Sequence, residues 1–349
     1  MARWLVSLVG VGTLTSGAFA SLQVIDLGPG QAFGLNDVGS AVGRTAANKA
    51  FTWQGGLRSE LSPPDSFAGR GFDINNQGDL VGTVNTFSRP QGEPFLRIEE
   101  QFTFVAPGGA PGQANALNDN RQVVGQYDDL RGFVWNDGNA ADIGTFGGTR
   151  SAASDINASG QVVGFAARAN TDTSAFLITP EDTNNDGLAD LWFRDSNNDQ
   201  VNDLMMDLGT LGGPSSVATG INDTAGVVGF SDTGSSRNGF LWTANDGMQD
   251  LGAQIIPQAI NNRGTAVGAD SSSGISRAFR WMNGALTDLN SLLPADSGWL
   301  LEEATAINEL GWIAGSGQLN GTQHAFLLVP EPASAALLLT GLVFVTRRR

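Results

Sequence analysis

"INNRGTAVG", residues 260–268, is one of seven copies of a phrase in which an asparagine precedes a glycine by six intervening residues. The pairs are Asn36/Gly43, Asn75/Gly82, Asn118/Gly125, Asn157/Gly164, Asn222/Gly229, Asn261/Gly268 and Asn308/Gly315. The residue before each asparagine is Leu or Ile, and a short, mostly β-branched or aliphatic run precedes each closing glycine. Asn can bond its own backbone and tolerates left-handed geometry, so it turns the chain. A glycine three residues later, present in five copies, takes positive φ without a Cβ clash; Arg121 and Ala225 stand there in the other two. The closing glycine marks a place where another backbone comes close. A unit of about forty residues repeated in this way builds an array or a ring, not one ordinary core.

Two further elements follow each phrase. The first reads Ala50-Phe51-Thr52-Trp53, Gly132-Phe133-Val134-Trp135, Gly239-Phe240-Leu241-Trp242 and Ala278-Phe279-Arg280-Trp281, with Ala175-Phe176 and Ala325-Phe326 as variants. Aromatic residues two apart share one face of a strand. In the second copy Phe95 or Phe102-Thr103-Phe104 serves. The second element is Asp-Leu-Gly-like: Asp142-Ile143-Gly144, Asp207-Leu208-Gly209, Asp250-Leu251-Gly252 and Asp288-Leu289-Asn290, with Glu60-Leu61 in copy one. Two hairpins per repeat make a four-stranded unit of propeller-blade size.

The phase of the repeats points to closure. Asp26-Leu27-Gly28 is a fourth strand with no repeat before it, and Phe326 lies in a third strand with no fourth after it. The expected fold is therefore all-β, a seven-bladed β-propeller of four-stranded blades closed by an N-terminal strand that completes the last blade. An open stack is the alternative. Pairing between Ile25 and Leu327 decides between them.

Both ends carry export signals. Arg3, the apolar run Trp4–Leu14 and the small-x-small triplet Ala18-Phe19-Ala20 read as a secretory signal over residues 1–20, cleaved before Ser21. The ring is expected over 21–329. Residues 330–349 hold Pro330-Glu331-Pro332, an apolar stretch from Ala333 to Thr346, and Arg347-Arg348-Arg349. That stretch, as helix, covers about 21 Å, short of a bilayer core of about 30 Å, so it suits a transient membrane contact. The tail resembles the PEP-CTERM sorting signal of Gram-negative bacteria, which implies removal by an exosortase-type enzyme. An unprocessed tail anchor is the plain alternative. The repeats resemble the extracellular HAF repeat: His324-Ala325-Phe326 carries the name motif, Asp207–Gly213 its Asp-Leu-Gly-Thr-Leu-Gly-Gly segment, and Asp142–Gly148 a variant. The other copies lack the histidine. The resemblance covers about residues 21–328. It implies secretion and cell-surface or matrix residence; it does not imply a catalytic activity.

Composition narrows the chemistry. Between the two end segments lie 15 basic and 34 acidic residues. Such a body repels nucleic acid and anionic lipid. Cysteine is absent, and His324 and Lys49 are the only residues of their kinds, which excludes a His/Cys zinc site, thiol chemistry and a phosphate loop with lysine. A Ser-His-Asp arrangement would need His324, which belongs to a repeat motif. Carboxylate-pair glycoside hydrolysis stays open, although most acids occupy repeat positions. An acidic cluster at a channel mouth would favour it, and a channel of glycines and apolar residues would oppose it.

One insertion, residues 181–206, stretches the spacing between asparagines from 39 to 65 residues. Its two loops place oxygen-bearing residues at alternating positions: Asp182, Asn184, Asp186 and Asp190, then Asp195, Asn197, Asp199 and Asp203, with the carbonyls of Leu188 and Val201 at position seven. Oxygens at positions one, three, five, seven and nine wrap a hard cation such as Ca²⁺. Gly187 eases the turn in the first loop; Gln200 replaces it in the second and weakens that site. Neither loop has the Glu of an EF-hand at position twelve. They resemble the Asp-rich Ca²⁺ repeats of thrombospondin type 3 and dockerin modules. The alternative is a turn-forming polar loop. Leu191-Trp192-Phe193 is expected to pack the insertion onto the body. The partner implied by this setting is extracellular polysaccharide or another matrix protein.

Overall fold

A computed structural model describes residues 22–330, apart from 62, 64, 129 and 171. Within it are five four-stranded antiparallel sheets and one of seven strands. Each four-stranded sheet is one repeat taken in chain order; the first runs Ser66–Ile74, Leu80–Thr86, Glu93–Ile98 and Gln101–Phe104. In the seven-stranded sheet the long strand Leu22–Leu35 pairs with Thr322–Pro330 through its first half and with Ala41–Thr45 through its second. Ile25 lies opposite Leu327. The opening strand thus serves two repeats, the last as fourth strand and the first as innermost strand. The architecture is propeller-like.

The apolar residues explain the layering. Phe51, Phe95, Phe133, Phe176, Phe240, Phe279 and Phe326, one per repeat, are the largest fully buried side chains. Burying each contributes about 2–3 kcal/mol. Phe95 fills this place in the second repeat, while Phe102 and Phe104 belong to its fourth strand. The second strands do not alternate: Val123 and Val124, Val162 and Val163, Val227 and Val228 are all buried. Successive residues point to opposite faces, so both faces of each sheet are covered. Val162 packs with residues of the third repeat, Val163 with those of the fifth. Seven such clusters lie between consecutive repeats, one of them joining Leu327 and Ala314 of the last repeat to Leu35 and Phe51 of the first.

Each innermost strand carries a β-bulge three residues before the asparagine, at Phe33, Phe72, Asn115, Ser154, Thr219, Gln258 and Thr305. Each closing glycine pairs with the residue just before that bulge, as Gly43 does with Ala32. A Cβ on any of the seven would fall far inside van der Waals contact of a carbonyl oxygen of the innermost strand, for example Gln31 O at Gly43 and Val217 O at Gly229. That is why the phrase ends in glycine.

The Asp-Leu-Gly and His-Ala-Phe motifs meet across strands three and four. Asp142, Asp250, Asp288 and Asp26 lie opposite the buried phenylalanines. Asp26 Oδ1 accepts Gly28 N–H at 2.7 Å and lies 2.8 Å from His324 Nδ1. Arg131 meets Asp142 at 2.7 Å, Asn238 donates to Asp250 at 2.9 Å, and Arg277 meets Asp288 at 3.4 Å. His324 is thus one version of a repeated cross-strand partner. In the fourth repeat Ser174 takes that position, and Asp207 pairs with Arg168 instead.

Candidate functional site

The seven repeat asparagines form a closed relay. Asn36 Nδ2 donates to Asn75 O at 2.9 Å, Asn75 to Asn118 O at 3.3 Å, Asn118 to Asn157 O at 3.0 Å and Asn157 to Asn222 O at 3.1 Å. Asn222 donates to Asn261 O at 3.0 Å, Asn261 to Asn308 O at 3.1 Å, and Asn308 returns to Asn36 O at 3.0 Å. Each Oδ1 meanwhile accepts N–H groups of its own turn, as Asn222 does from Gly226 at 2.7 Å. All seven are buried. No asparagine of the relay has positive φ; the left-handed residue is the one three positions on, including Arg121 (φ 61°) and Ala225 (φ 58°). The expectation that Asn serves by tolerating left-handed geometry is corrected. It serves through its amide, which holds the turn with one end and the next repeat with the other.

The following position builds a second tier at the mouth of a cavity of about 220 Å³. Glu309 N donates to Asp37 Oδ1, Asp37 N to Asn76 Oδ1 and Asn76 N to Asp119 Oδ1, each at 2.9 Å. Ala158 N donates to Asp223 Oδ1, Asp223 N to Asn262 Oδ1 and Asn262 N to Glu309 Oε1. Ala158 offers no acceptor, so this tier breaks once. Deeper in, the bulge residues line a cavity of about 200 Å³: Phe33 and Phe72 stand with centroids 5.7 Å apart, and Asn115, Thr219 and Thr305 donate to carbonyls of the next repeat.

Asp73 and Asp155 lie between these levels, and the sequence reading did not single them out. Gly or Ala occupies their position, two before the asparagine, in the other five repeats; a carboxylate there was the available signal. Asp73 accepts Ile74 N at 2.8 Å and, across repeats, Leu117 N at 3.1 Å. Asp155 does the same with Ile156 and Ile221, at 2.8 and 2.9 Å. Burial pushes the Asp73 carboxyl up to about 7; the charges of Asp155 and Asp119 add to this, and the two N–H donors oppose it. Burial likewise raises Asp155 to about 6 against its two backbone donors. The channel is thus polar and acidic, not the glycine-lined apolar passage that would oppose hydrolysis. Yet all four mouth carboxylates, Asp37, Asp119, Asp223 and Glu309, already accept a neighbouring N–H.

The insertion sits on the outside, over the third and fourth repeats. Trp192 is buried and donates through Nε1 to Gly160 O at 2.8 Å. Asn202 Nδ2 donates to Ile143 O at 2.9 Å and to Trp192 O at 2.8 Å, and Gln122 Nε2 donates to Ala189 O at 3.0 Å. The two Asp-rich loops have the same internal bonding. Asp182 accepts Asp186 N and Gly187 N; Asp195 accepts Asp199 N and Gln200 N. Asn184 and Asn197 each accept the N–H of the Asp two ahead, and Asp186 and Asp199 accept Leu188 N and Val201 N. Asp190 is held by Thr183 and Asp203 by Ser196, which keeps both carboxyls below the usual range. Gln200 takes the left-handed geometry of Gly187, φ 66° against 89°. Each loop is thus curled with its position-one, -three and -five oxygens turned inward. An incoming cation would displace the Asn184 and Asn197 amide donors from Asp186 and Asp199. Among the described residues, no three His, Cys, Asp or Glu side chains gather as a metal-holding group, so a cation here draws on amide and carbonyl oxygens as well. The donor chemistry fits Ca²⁺.

Of the export motifs, only Pro330 lies within the described residues, at the end of a strand and opposite Leu22. Ala18, Ala20, Ser21, Glu331, Pro332 and Arg347–Arg349 lie outside them. Among the described residues no helix is long and apolar enough to cross a membrane.

No protein-family model matches the chain, and no curated protein matches it in sequence. Its backbone is similar to the structure of U3-55K, with 12% identity and TM-score 0.53 over 89% of this chain and 98% of that one. A looser likeness, TM-score 0.43 and 15% identity, links it to TolB from Acinetobacter baumannii over 83% of this chain and 79% of that one. Such identities bear on the fold alone. The likeness to U3-55K agrees with the propeller-like, all-β arrangement of the sheets.

Proposed function

We propose that this chain is a secreted, non-enzymatic binding scaffold. It is a seven-bladed propeller exported by its N-terminal signal, sorted and trimmed at its tail by an exosortase-type enzyme, and displayed at the cell surface or in the matrix. Extracellular polysaccharide or a matrix protein is its partner, and Ca²⁺ steadies the insertion. One observation carries this reading: the polar residues at the repeat positions are spent on the repeats themselves. The asparagines close a relay, the fourth-strand aspartates hold their own turns, and His324 is engaged by Asp26. What remains free is rim surface and the insertion.

The acidic channel, with Asp73 and Asp155 below its mouth, favours a second reading, a carbohydrate-active enzyme using carboxylates. A panel of oligosaccharides incubated with the protein separates the two; reducing-end release abolished by Asp73→Asn or Asp155→Asn would establish hydrolysis and overturn the scaffold role. The intact mass of the exported protein tests processing at both ends. The scaffold reading expects a chain starting at Ser21 and lacking residues 333–349, and a mass that includes Arg349 overturns the sorting step.

A further inference from the structure

The insertion creates a groove that no repeat contains by itself. Its first Asp-rich loop forms one wall, and the third repeat forms the other; the space between is about 460 Å³, within the range of small-ligand sites. Trp135 lies on the repeat side. Tryptophans at the same strand position in the first and fifth repeats, Trp53 and Trp242, are buried; Trp135, like Trp281 of the sixth, is only partly buried, and Trp135 alone of the four lines this space. Beside it, the side chains of Asn136 and Asp137 make no hydrogen bond among the described residues. Arg121, half-exposed, uses Nε on Asp79 at 2.7 Å, and the rest of its fork is available. Leu188, 49% exposed, projects from the insertion.

We propose that this groove binds a neutral saccharide. A flat indole face matches the C–H face of a pyranose ring. An amide, a carboxylate and a guanidinium around it supply donors and acceptors for hydroxyls. The body's large acidic excess disfavours uronate, sulfated or phosphorylated chains, so charge selects the neutral ones. The inference rests on the scaffold reading above and gives it a ligand class and a place.

The test uses the whole exported chain with CaCl₂ present. An array of neutral hexose and N-acetylhexosamine oligosaccharides is probed beside uronate-bearing ones, and hits are titrated by calorimetry. A neutral glycan should bind, with Kd raised at least tenfold by Trp135→Ala and by Leu188→Arg. Leu188→Arg adds a cation beside the loop's carboxylates, so Asn136→Ala, which lines the groove from outside the loop, is the second variant: it should weaken binding with an unchanged Tm, which separates loss of binding from loss of fold. Binding that survives Leu188→Arg overturns this groove and leaves the scaffold role standing. An array on which only uronate chains bind, or none, also overturns it. A retained tail in the intact mass counts against the scaffold reading without touching the groove.

Discussion

Replacing Asn222 removes one link of the relay and tests whether the links hold the ring. Asn222 is 5% exposed; its Nδ2 donates to Asn261 O at 3.0 Å, and its Oδ1 accepts Gly226 N at 2.7 Å and Thr224 Oγ1 at 2.9 Å. Asn222→Ala strands the buried Gly226 N–H, at about 1–3 kcal/mol, and removes one of two donors from the Asn261 carbonyl, which keeps Gly264 N–H at 2.9 Å, at about 0.5–1.5 kcal/mol. The loss is about 1.5–4.5 kcal/mol. An unfolding entropy of about 2.1 cal/mol/K per residue makes each kcal/mol worth about 1.5 °C in a chain of this length. The expected fall in Tm is therefore about 2–7 °C. Asn222→Asp separates the two ends of the amide: it keeps the acceptor for Gly226 but turns a carboxylate oxygen toward Asn261 O. It should be at least as damaging as alanine at pH 7. Asp223→Ala, one residue on, is the control. Ala158 already occupies that position in the fourth repeat, so the cost should stay below about 1 kcal/mol. Differential scanning calorimetry of the three variants reads the ordering. If Asn222→Asp melts within 1 °C of the parent, the amide donor contributes nothing between repeats and the relay is only a geometric coincidence.

Stability should depend on pH through the channel acids. A carboxyl raised from 3.8 to about 7 binds its proton more tightly folded than unfolded, so its contribution is full below pH 4 and lost as pH rises through about 7. Asp73→Ala should therefore gain on the parent by about 2–4 kcal/mol between pH 4 and pH 8, read from urea midpoints at both; a constant difference would count against a raised Asp73. For the insertion, Tm should rise with CaCl₂ and fall with a chelator, by an amount set by about 2.7 kcal/mol when free Ca²⁺ is a hundredfold above Kd, and Asp182→Ala with Asp195→Ala should erase the difference. Identical melting of the parent in both solutions would show that the loops take no structural ion. Ala225→Gly should stabilise by about 1 kcal/mol, because Ala225 sits at φ 58° where five repeats use glycine; an unchanged or lower Tm would mean that the turn holds no strain there.

Much of this molecule was legible because its information is local. The hairpin around each asparagine, the glycine three residues on and the buried phenylalanine all depend on neighbours in the chain, and local requirements leave the same residue types at the same spacing seven times. The closing glycine also announced a close approach, although the bulge beside it did not appear in the pattern. Even closure was readable, from a fourth strand displaced to the front of the chain: Ile25 does face Leu327. The Asp-rich loops and the packing role of Trp192 were readable for the same reason, since alternating oxygens and a flanking aromatic are short-range signals.

Tertiary structure decided what depends on partners far apart in sequence. The asparagine amides reach carbonyls 39 to 272 residues away, and one residue type satisfies a turn whether or not it also bridges. Asp73 and Asp155 acquire their meaning only from the ring, which sets them in one channel, where burial first and neighbouring carboxylates second raise them. The groove beside Trp135 exists only because an insertion from the fourth repeat lies over the third. A hydrogen bond within one turn leaves its trace in the order of residues, whereas a channel, a relay or a groove is made by the summed rotations of successive sheets, which no single stretch of chain records.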